Sequence, residues 1–190
     1  MKRADVIAML EGYQTFDAVE RTHRMVALHM LKTVPDVFLR ECNEPGHVCG
    51  SAMVCNLDGS KVLLNQYGDS GLFMNFGGHA DGEEDVFGVA KRELMEEAGI
   101  TDALCSGALF DIDVNSMPAH TRKGEAVPAH IHADFTWLFR VPEDVQWVVS
   151  DESEDIRWFT LEEAMAMPTG KADKDAQLGR FYTKIKAGVR

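Results

Sequence analysis

The sequence predicts an α/β fold in which helices pack on a mixed β-sheet. Two observations carry this prediction. Short β-rich apolar runs follow one another through the middle of the chain, and segments with apolar residues at helical spacing lie before, between and after them. A chain of 190 residues can bury one sizeable core but is too short for two ordinary domains. We therefore expect a helical extension over residues 1–45 and one main domain over residues 46–190, which includes a C-terminal helix.

The extension is predicted to contain two helices, over residues 4–11 and about 16–33. In the second, apolar residues recur at helical spacing and Pro35 ends the pattern. These apolar residues are Val19, Val26, Met30 and Leu31. Two roles are open for the helices: they could pair two copies of the chain in a homodimer, or they could cap a pocket of the main domain.

The main domain is predicted to open with a hairpin, whose strands at 47–56 and 61–66 are joined through Asp58-Gly59. An extended piece at 71–76 precedes a helix at 84–98, which Gly99 ends. One face of that helix is apolar, with Phe87, Ala90, Leu94 and Ala98. Further strands are expected at 103–114, 129–141 and 156–159, with a polar loop at 116–128 and short helices from 160 and about 174.

Composition excludes several classes of function. The formal net charge of −12 argues against a nucleic-acid partner, because affinity for a phosphate backbone comes from lysine and arginine. No apolar run is long enough to span a bilayer, and the first ten residues do not read as a targeting signal, so we expect a cytoplasmic protein without a membrane partner. The four cysteines show no paired spacing and are expected to be free thiols.

Three carboxylates mark the predicted helix at 84–98. Glu93, Glu96 and Glu97 stand at i, i+3 and i+4, which places them on one stripe at the edge of the buried side. Their mutual repulsion is relieved if they hold a hard divalent cation such as Mg²⁺, which takes oxygen ligands. Exposed glutamates are also common in helices, so the stripe alone leaves both interpretations open.

The spacing of the residues around the stripe favours the metal-binding interpretation. Gly78 is followed by Glu84 six residues on, by Arg92 eight beyond that, and then by the rest of the run RELMEEAGI. These residues match every fixed position of the Nudix box, and the chain resembles the Nudix hydrolases, most closely from about residue 47 to residue 160. The stretch GGHADGEED resembles a bacterial subgroup with a GGHxDG loop, and its order of acidic and glycine residues departs from the common box.

The resemblance implies a Nudix-type α/β/α sandwich and a role for each matching residue. The implied ligands of a catalytic Mg²⁺ or Mn²⁺ ion are Glu93, Glu96, Glu97 and the carbonyl group of Gly78. It further implies that Glu96 is a candidate to activate water, and that Arg92 orients these carboxylates and pairs with Glu84. The implied reaction is hydrolysis of a diphosphate linkage in a small molecule of the nucleoside-diphosphate-X type, by water attack on phosphorus.

Two histidines separate this chain from the plainest box. His79 follows a glycine pair, and His47 opens the first strand of the hairpin. Isopentenyl-diphosphate isomerase, a Nudix-fold enzyme, is similar here and binds metal through both histidines, but its essential cysteine is replaced by Gly77. An isomerase-like enzyme and a non-catalytic Nudix-fold ligand sensor are the alternatives to hydrolysis. His47 and His79 are candidate metal ligands or plain loop histidines.

A later strand carries further candidates. In the run HIHADF, alternation places His130, His132 and Asp134 on one face. They are candidates for substrate binding, for a metal site or for a base, and a solvent-facing strand edge is equally open. Asp134 lies 37 residues beyond Glu97, close to where some Nudix hydrolases carry a further acidic residue.

Overall fold

A computed structural model describes residues 1–42, 44–68, 71–122, 124–151 and 153–189. The helices are α1 (Arg3–Gly12), α2 (Ala18–Thr33), α3 (Val86–Ala98), α4 (Leu161–Met165) and α5 (Ala172–Lys186). The strands are β1 (Gly46–Asn56), β2 (Lys61–Tyr67), β3 (Leu72–Met74), β4 (Phe76–His79), β5 (Asp111–Met117), β6 (His120–Arg122), β7 (Glu125–Val127), β8 (His130–Val141) and β9 (Ser153–Thr160).

A mixed sheet organises the described residues. Its order is β3-β2-β1-β8-β5, with β4 paired to β1 and β9 paired to β2. Strands β1 and β8 run parallel along their whole length, and the other pairings in this sheet are antiparallel. A separate hairpin consists of β6 and β7.

The two faces of the sheet carry two apolar clusters, because side chains along β1 alternate in direction. Val48, Ala52 and Val54 join the cluster that contains α3, whereas Met53 and Cys55 join the cluster that contains α5. Helices therefore cover both faces, and the expected α/β/α arrangement is confirmed. None of the helices in the described ranges combines the length and the apolar content that a membrane span requires.

Two glycines bring α3 close to the sheet. Gly50 and Gly78 are direct partners in the pairing of β1 with β4. A Cβ atom at Gly50 would lie 2.7 Å from the Val86 carbonyl oxygen and 2.9 Å from the Val89 side chain. A side chain at this position would push the helix away from the sheet, so the glycine permits the close packing that positions the carboxylate stripe.

The N-terminal helices share the core of the main domain. The α3-side cluster includes Val6 and Leu10 of α1 and Ala27, Met30 and Leu31 of α2, each at most 1% exposed. Apolar side chains of the extension are therefore buried together with those of the sheet. The domain boundary at residue 45 stays a prediction made from the sequence. In the structure, residues on both sides of it pack in one apolar cluster.

Most predicted elements are present, and one differs substantially. The strand predicted at 103–114 is wrong for residues 103–110, since β5 begins at Asp111 and Leu104 makes only an isolated bridge to Arg140. Gly107 has a φ of +77°, which interrupts an extended path, although Leu109 and Phe110 are buried and gave the segment its strand-like pattern. The loop predicted at 116–128 contains the β6–β7 hairpin.

Candidate active site and histidine cluster

Helix α3 carries the carboxylate stripe and is capped at both ends. The Asp85 side chain accepts a hydrogen bond from the Gly88 N–H at 3.1 Å, and Gly99 adopts the left-handed conformation with a φ of 69°. The helix starts at Val86, two residues after the predicted start, because Asp85 is the capping residue. Along the stripe, the side chain of Glu93 is 12% exposed and that of Glu96 is 49% exposed, whereas Glu97 is buried.

The Glu97 carboxylate is held against strand β4. It accepts hydrogen bonds from the Tyr67 hydroxyl at 2.8 and 3.0 Å and from the Gly77 N–H at 3.1 Å. Burial first, and then the negative charge of Glu97, raise the pKa of Tyr67 well above its usual value. The phenol therefore stays protonated and acts as a donor to the carboxylate.

Arg92 connects the other two carboxylates to the sheet. Its guanidinium lies 2.8 Å from Glu93 and 2.9 Å from Glu96, and it donates a hydrogen bond to the His79 carbonyl oxygen at 3.1 Å. Partial burial disfavours the charged form of Arg92, but Glu93 and Glu96 more than offset this effect and raise its pKa. Arg92 thus stays charged and fixes the direction of both glutamates.

The structure differs from the implied pairing of Arg92 with Glu84. The further acidic neighbour of Arg92 is Glu83, at 3.9 Å. Glu84 instead accepts a hydrogen bond from the Arg3 backbone N–H at 3.2 Å and lies 4.0 Å from the Lys2 ammonium. The reason is the position of α1, whose first turn lies beside the box and satisfies Glu84.

Gly78 provides space for the Glu93 carboxylate. A Cβ atom at Gly78 would lie 2.5 Å from Glu93 Oε1, closer than any ordinary contact. The carboxylate therefore packs directly on the backbone of β4. Glu93, Glu97 and Gly78 are brought together as the resemblance implies, with Glu96 beside them through Arg92.

A cluster of histidines occupies the opposite face of the sheet. His79 follows Gly78 in β4, so their side chains point to opposite faces. The ring centroid of His47 lies 5.0 Å from that of His79, 4.6 Å from that of His132 and 5.0 Å from that of His130. Strand register explains the proximity, since His47 pairs with His132, and Cys49, two residues after His47, pairs with His79.

The environment keeps these imidazoles neutral. Burial, followed by neighbouring positive charge, lowers the pKa of His79 to about 3 and the pKa of His132 to about 2. Burial also lowers the pKa of His47, although its hydrogen bond to the Cys42 carbonyl opposes the shift. Near neutral pH each of these rings carries a nitrogen lone pair that can bind a metal.

The histidines line a cavity of about 490 Å³. Arg40 and Arg122 are in its wall, together with His120 of the β6–β7 hairpin. Asp134 is not among the described residues that line this cavity, although the sequence places it on the same strand face as His130 and His132. Its carboxylate accepts hydrogen bonds from Ser51 at 2.6 Å and Gln177 at 3.1 Å, and burial raises its pKa.

Sequence reasoning missed four residues of this region: Tyr67, Cys49, Arg40 and Arg122. Cys49 could have been found, because it stands two residues after His47 and must share its face of the strand. The others approach from separate strands and loops, and no local spacing indicates that they converge here.

Comparison with known proteins agrees with this architecture. Residues 47–181 match the family model described as NUDIX domain. No curated protein sequence matches the chain closely enough to count as a relative.

Several solved structures have a similar fold. An Ap4A hydrolase of C. elegans is 23% identical with a TM-score of 0.54, and the alignment covers 74% of this chain and 98% of that one. The dihydroneopterin triphosphate pyrophosphohydrolase of E. coli is 18% identical with a TM-score of 0.59, covering 78% and 99%. A MutT protein from Methanosarcina mazei Go1 is 21% identical with a TM-score of 0.51, covering 73% and 94%. At these identities the likeness concerns the fold. The family match spans more than half of the sequence, and the chain belongs to the NUDIX domain family.

Proposed function

We propose that the protein is a Mg²⁺- or Mn²⁺-dependent hydrolase that cleaves a diphosphate linkage in a small molecule of the nucleoside-diphosphate-X type. The observation that carries the proposal is the organised set of carboxylates on α3. Glu93 packs on Gly78, Glu97 is fixed by Tyr67 and Gly77, and Arg92 joins Glu93 to Glu96. An intact and prearranged set of this kind favours catalysis over simple ligand sensing.

The donor set fits a hard divalent cation. Three carboxylates and a backbone carbonyl at Gly78 offer only oxygen, which Mg²⁺ and Mn²⁺ prefer. The absence of a side chain at Gly78 leaves the space that the Glu93 carboxylate occupies. When bound there, the metal would polarise the phosphoryl group and lower the pKa of the attacking water.

Arg92, Glu96 and Glu97 are proposed to have different roles in the reaction. Arg92 holds Glu93 and Glu96 in fixed directions, so that little reorganisation is needed when the substrate arrives. Glu96 is the exposed member of the stripe, which suits it to accept a proton from water. Glu97, buried between Tyr67 and Gly77, serves as a fixed ligand.

The cavity of the histidine cluster is proposed to receive an anionic part of the substrate. Arg40 and Arg122 supply positive charge there, which offsets the net charge of −12 near the site. His130 and His132 line the cavity and are proposed to face the bound substrate, whereas Asp134 contributes indirectly, because its carboxylate joins β8 to β1 through Ser51 and to α5 through Gln177. A cavity of about 490 Å³ suits a small molecule.

The decisive test of this function is Glu97→Gln. The amide keeps the shape of the side chain but removes a charged ligand, so we expect turnover to fall by at least about 100-fold, on the order of 2.7 kcal/mol of barrier, with folding retained. Glu162→Gln on the exposed surface of α4 is the matched control. A chelator should abolish the activity of the natural chain, and added Mg²⁺ or Mn²⁺ should restore it. Turnover by Glu97→Gln equal to that of the control would exclude the box as the catalytic site.

Substrate identity requires a screen of phosphoanhydrides. The names of the structurally similar proteins suggest dinucleoside polyphosphates and pteridine triphosphates as first compounds. ADP-ribose, NADH, nucleotide sugars and nucleoside triphosphates complete the set, each assayed with Mg²⁺ and with Mn²⁺. Release of phosphorylated products identifies a hydrolase, while binding without turnover of any compound would favour a sensor.

An isomerase-like activity is the second candidate, and the proximity of His47 and His79 is the observation in its favour. Against it, glycine stands at position 77, where the isomerase uses a cysteine, and the hydrolytic box is complete. Incubation with isopentenyl diphosphate separates the two, because rearranged diphosphate marks the isomerase. A homodimer formed through the N-terminal helices also stays a prediction, which sedimentation velocity of the full chain would test.

A further inference from the structure

We propose that His47, Cys49, His79 and His132 form a binding site for a transition-metal ion of the zinc class, separate from the carboxylate stripe. The four residues come from three strands, with His47 and Cys49 on β1, His79 on β4 and His132 on β8. Their ligand atoms all lie within 4.8 Å of one another. The proposal concerns metal binding itself and does not depend on the hydrolytic activity.

The spacing of the donors suits tetrahedral coordination. Bonds of about 2.1 Å to nitrogen and about 2.3 Å to sulfur place the ligands of a tetrahedral ion roughly 3.5 Å apart. The observed limit of 4.8 Å means that some pairs of ligand atoms must approach one another by up to about 1.3 Å to reach the tetrahedral spacing. Small side-chain rotations supply this movement, because the strands already hold the residues in register.

Hydrogen bonds at the edge of the histidine cluster determine which ring nitrogens keep a lone pair that can bind a metal. His47 Nδ1 lies 3.0 Å from the Cys42 carbonyl oxygen, so the proton belongs on Nδ1 and the lone pair on Nε2. His47 is 1% exposed, and its Nε2 has no hydrogen-bond partner among the residues described. A buried acceptor of this kind needs a partner, and a bound cation would supply it.

The hydrogen bonds of His130 likewise determine which nitrogen of His132 carries the proton. The Nδ1 atom of His130 lies 2.9 Å from the Pro128 carbonyl oxygen, and its Nε2 lies 3.1 Å from His132 Nε2. With the His130 proton on Nδ1, His132 must donate through Nε2, which leaves its Nδ1 lone pair for a metal. The surrounding hydrogen bonds therefore leave a free ring nitrogen on both His47 and His132.

The chemistry of the donors separates this site from the carboxylate stripe. Metal binding would release the proton of the Cys49 thiol to solvent, and the resulting thiolate sulfur together with imidazole nitrogen selects Zn²⁺, Co²⁺ or Fe²⁺ over Mg²⁺. The oxygen donors of the stripe have the opposite preference. The two sites also lie on opposite faces of β4, since Gly78 contacts Glu93 and His79 points the other way. One short strand would thus stand between two different metals.

Cobalt spectroscopy of the full-length protein tests the proposal. After a chelator has removed bound metal, one equivalent of Co²⁺ should give intense visible bands typical of tetrahedral coordination and a near-ultraviolet band from the Cys49 thiolate. One equivalent of Zn²⁺ should remove both sets of bands. Weak octahedral bands, or no saturation at one equivalent, would overturn the proposal without reliance on any variant.

Variants then locate the ion. Cys49→Ser should lose the thiolate band, and His79→Gln with His132→Gln should bind Zn²⁺ at least tenfold more weakly in a chelator competition. His120→Gln, in the wall of the same cavity but outside the four donors, is the matched control, and circular dichroism checks the fold of each variant. Glu97→Gln should keep the cobalt spectrum. Loss of the cobalt spectrum in Glu97→Gln, or persistence of the near-ultraviolet thiolate band in Cys49→Ser, would contradict this assignment.

Discussion

At the scale of single residues, Gly78 connects the sheet with the carboxylate stripe. In Gly78→Ala the new methyl group would displace the Glu93 carboxylate, from which an ideal Cβ lies 2.5 Å. We expect the specificity constant to fall by at least about tenfold, roughly 1.4 kcal/mol of transition-state stabilisation. The melting temperature should change little, because Gly78 has an ordinary φ and the obstructing atoms belong to a flexible side chain.

Gly12→Ala is the control for this prediction, since a Cβ atom there meets nothing within 4 Å. Steady-state kinetics with any substrate from the screen, combined with thermal unfolding, measures both effects. Equal kinetics for the two alanine variants would mean that the position of Glu93 is unimportant for turnover.

The stripe was predictable residue by residue because its spacing is local. Glu93, Glu96 and Glu97 lie within little more than one turn of a helix, so helical geometry alone places them together. The contribution of Tyr67 was not predictable, since it reaches Glu97 across 30 positions of sequence. The same limit applies to the Glu84 side chain, whose partners in α1 come from outside the box.

At the scale of elements, a buried ionic network joins α2, β5 and α5. Lys184, 1% exposed, donates to the Glu20 carboxylate, to Asp111 at 2.7 Å and to the Phe110 carbonyl oxygen at 2.7 Å. Arg180 of the same helix binds Asp111 at 2.8 Å. The carboxylates on α2 and β5 therefore depend on cations that α5 supplies.

Lys184→Met should destabilise the protein strongly. The substitution keeps an unbranched side chain but leaves Glu20 and Asp111 buried with less compensating charge, a change that typically costs about 3–5 kcal/mol. Urea unfolding would measure the loss, and Lys186→Met in the last turn of the same helix, where the side chain is exposed, should change stability by less than about 0.5 kcal/mol. Similar unfolding midpoints for the two variants would indicate that the network contributes nothing net.

Elements with strong periodicity or clear end signals were predictable, whereas the segment before β5 was not. Helix α3 was located to within two residues because Gly99 and the apolar face mark it. Residues 103–110 have the apolar content of a strand, yet they cross toward β8 and form only one bridge. Only Leu109 and Phe110 of this segment are buried, and tertiary packing buries them, which a local apolar pattern cannot distinguish from strand pairing.

At the scale of the whole molecule, the N-terminal helices lie outside the family match yet contribute to its core. Leu10→Ala should remove buried surface from the α3-side cluster and cost about 2–5 kcal/mol. Thermal unfolding should remain a single transition at a lower temperature, because the helices and the sheet share one core. Met25→Ala on α2, at a side chain that is 65% exposed, is the control. A separate early transition for the helices would indicate an independent unit.

The position of strand β4 limits the insertions and deletions that the protein can tolerate. Its neighbouring residues Gly78 and His79 face the carboxylate stripe and the histidine cluster respectively. Because side chains in a strand alternate with a period of two, inserting one codon before Gly78 would exchange the two faces and damage both sites in one step. An insertion or deletion of one residue in β4 would therefore be expected to disturb the carboxylate stripe and the histidine cluster together.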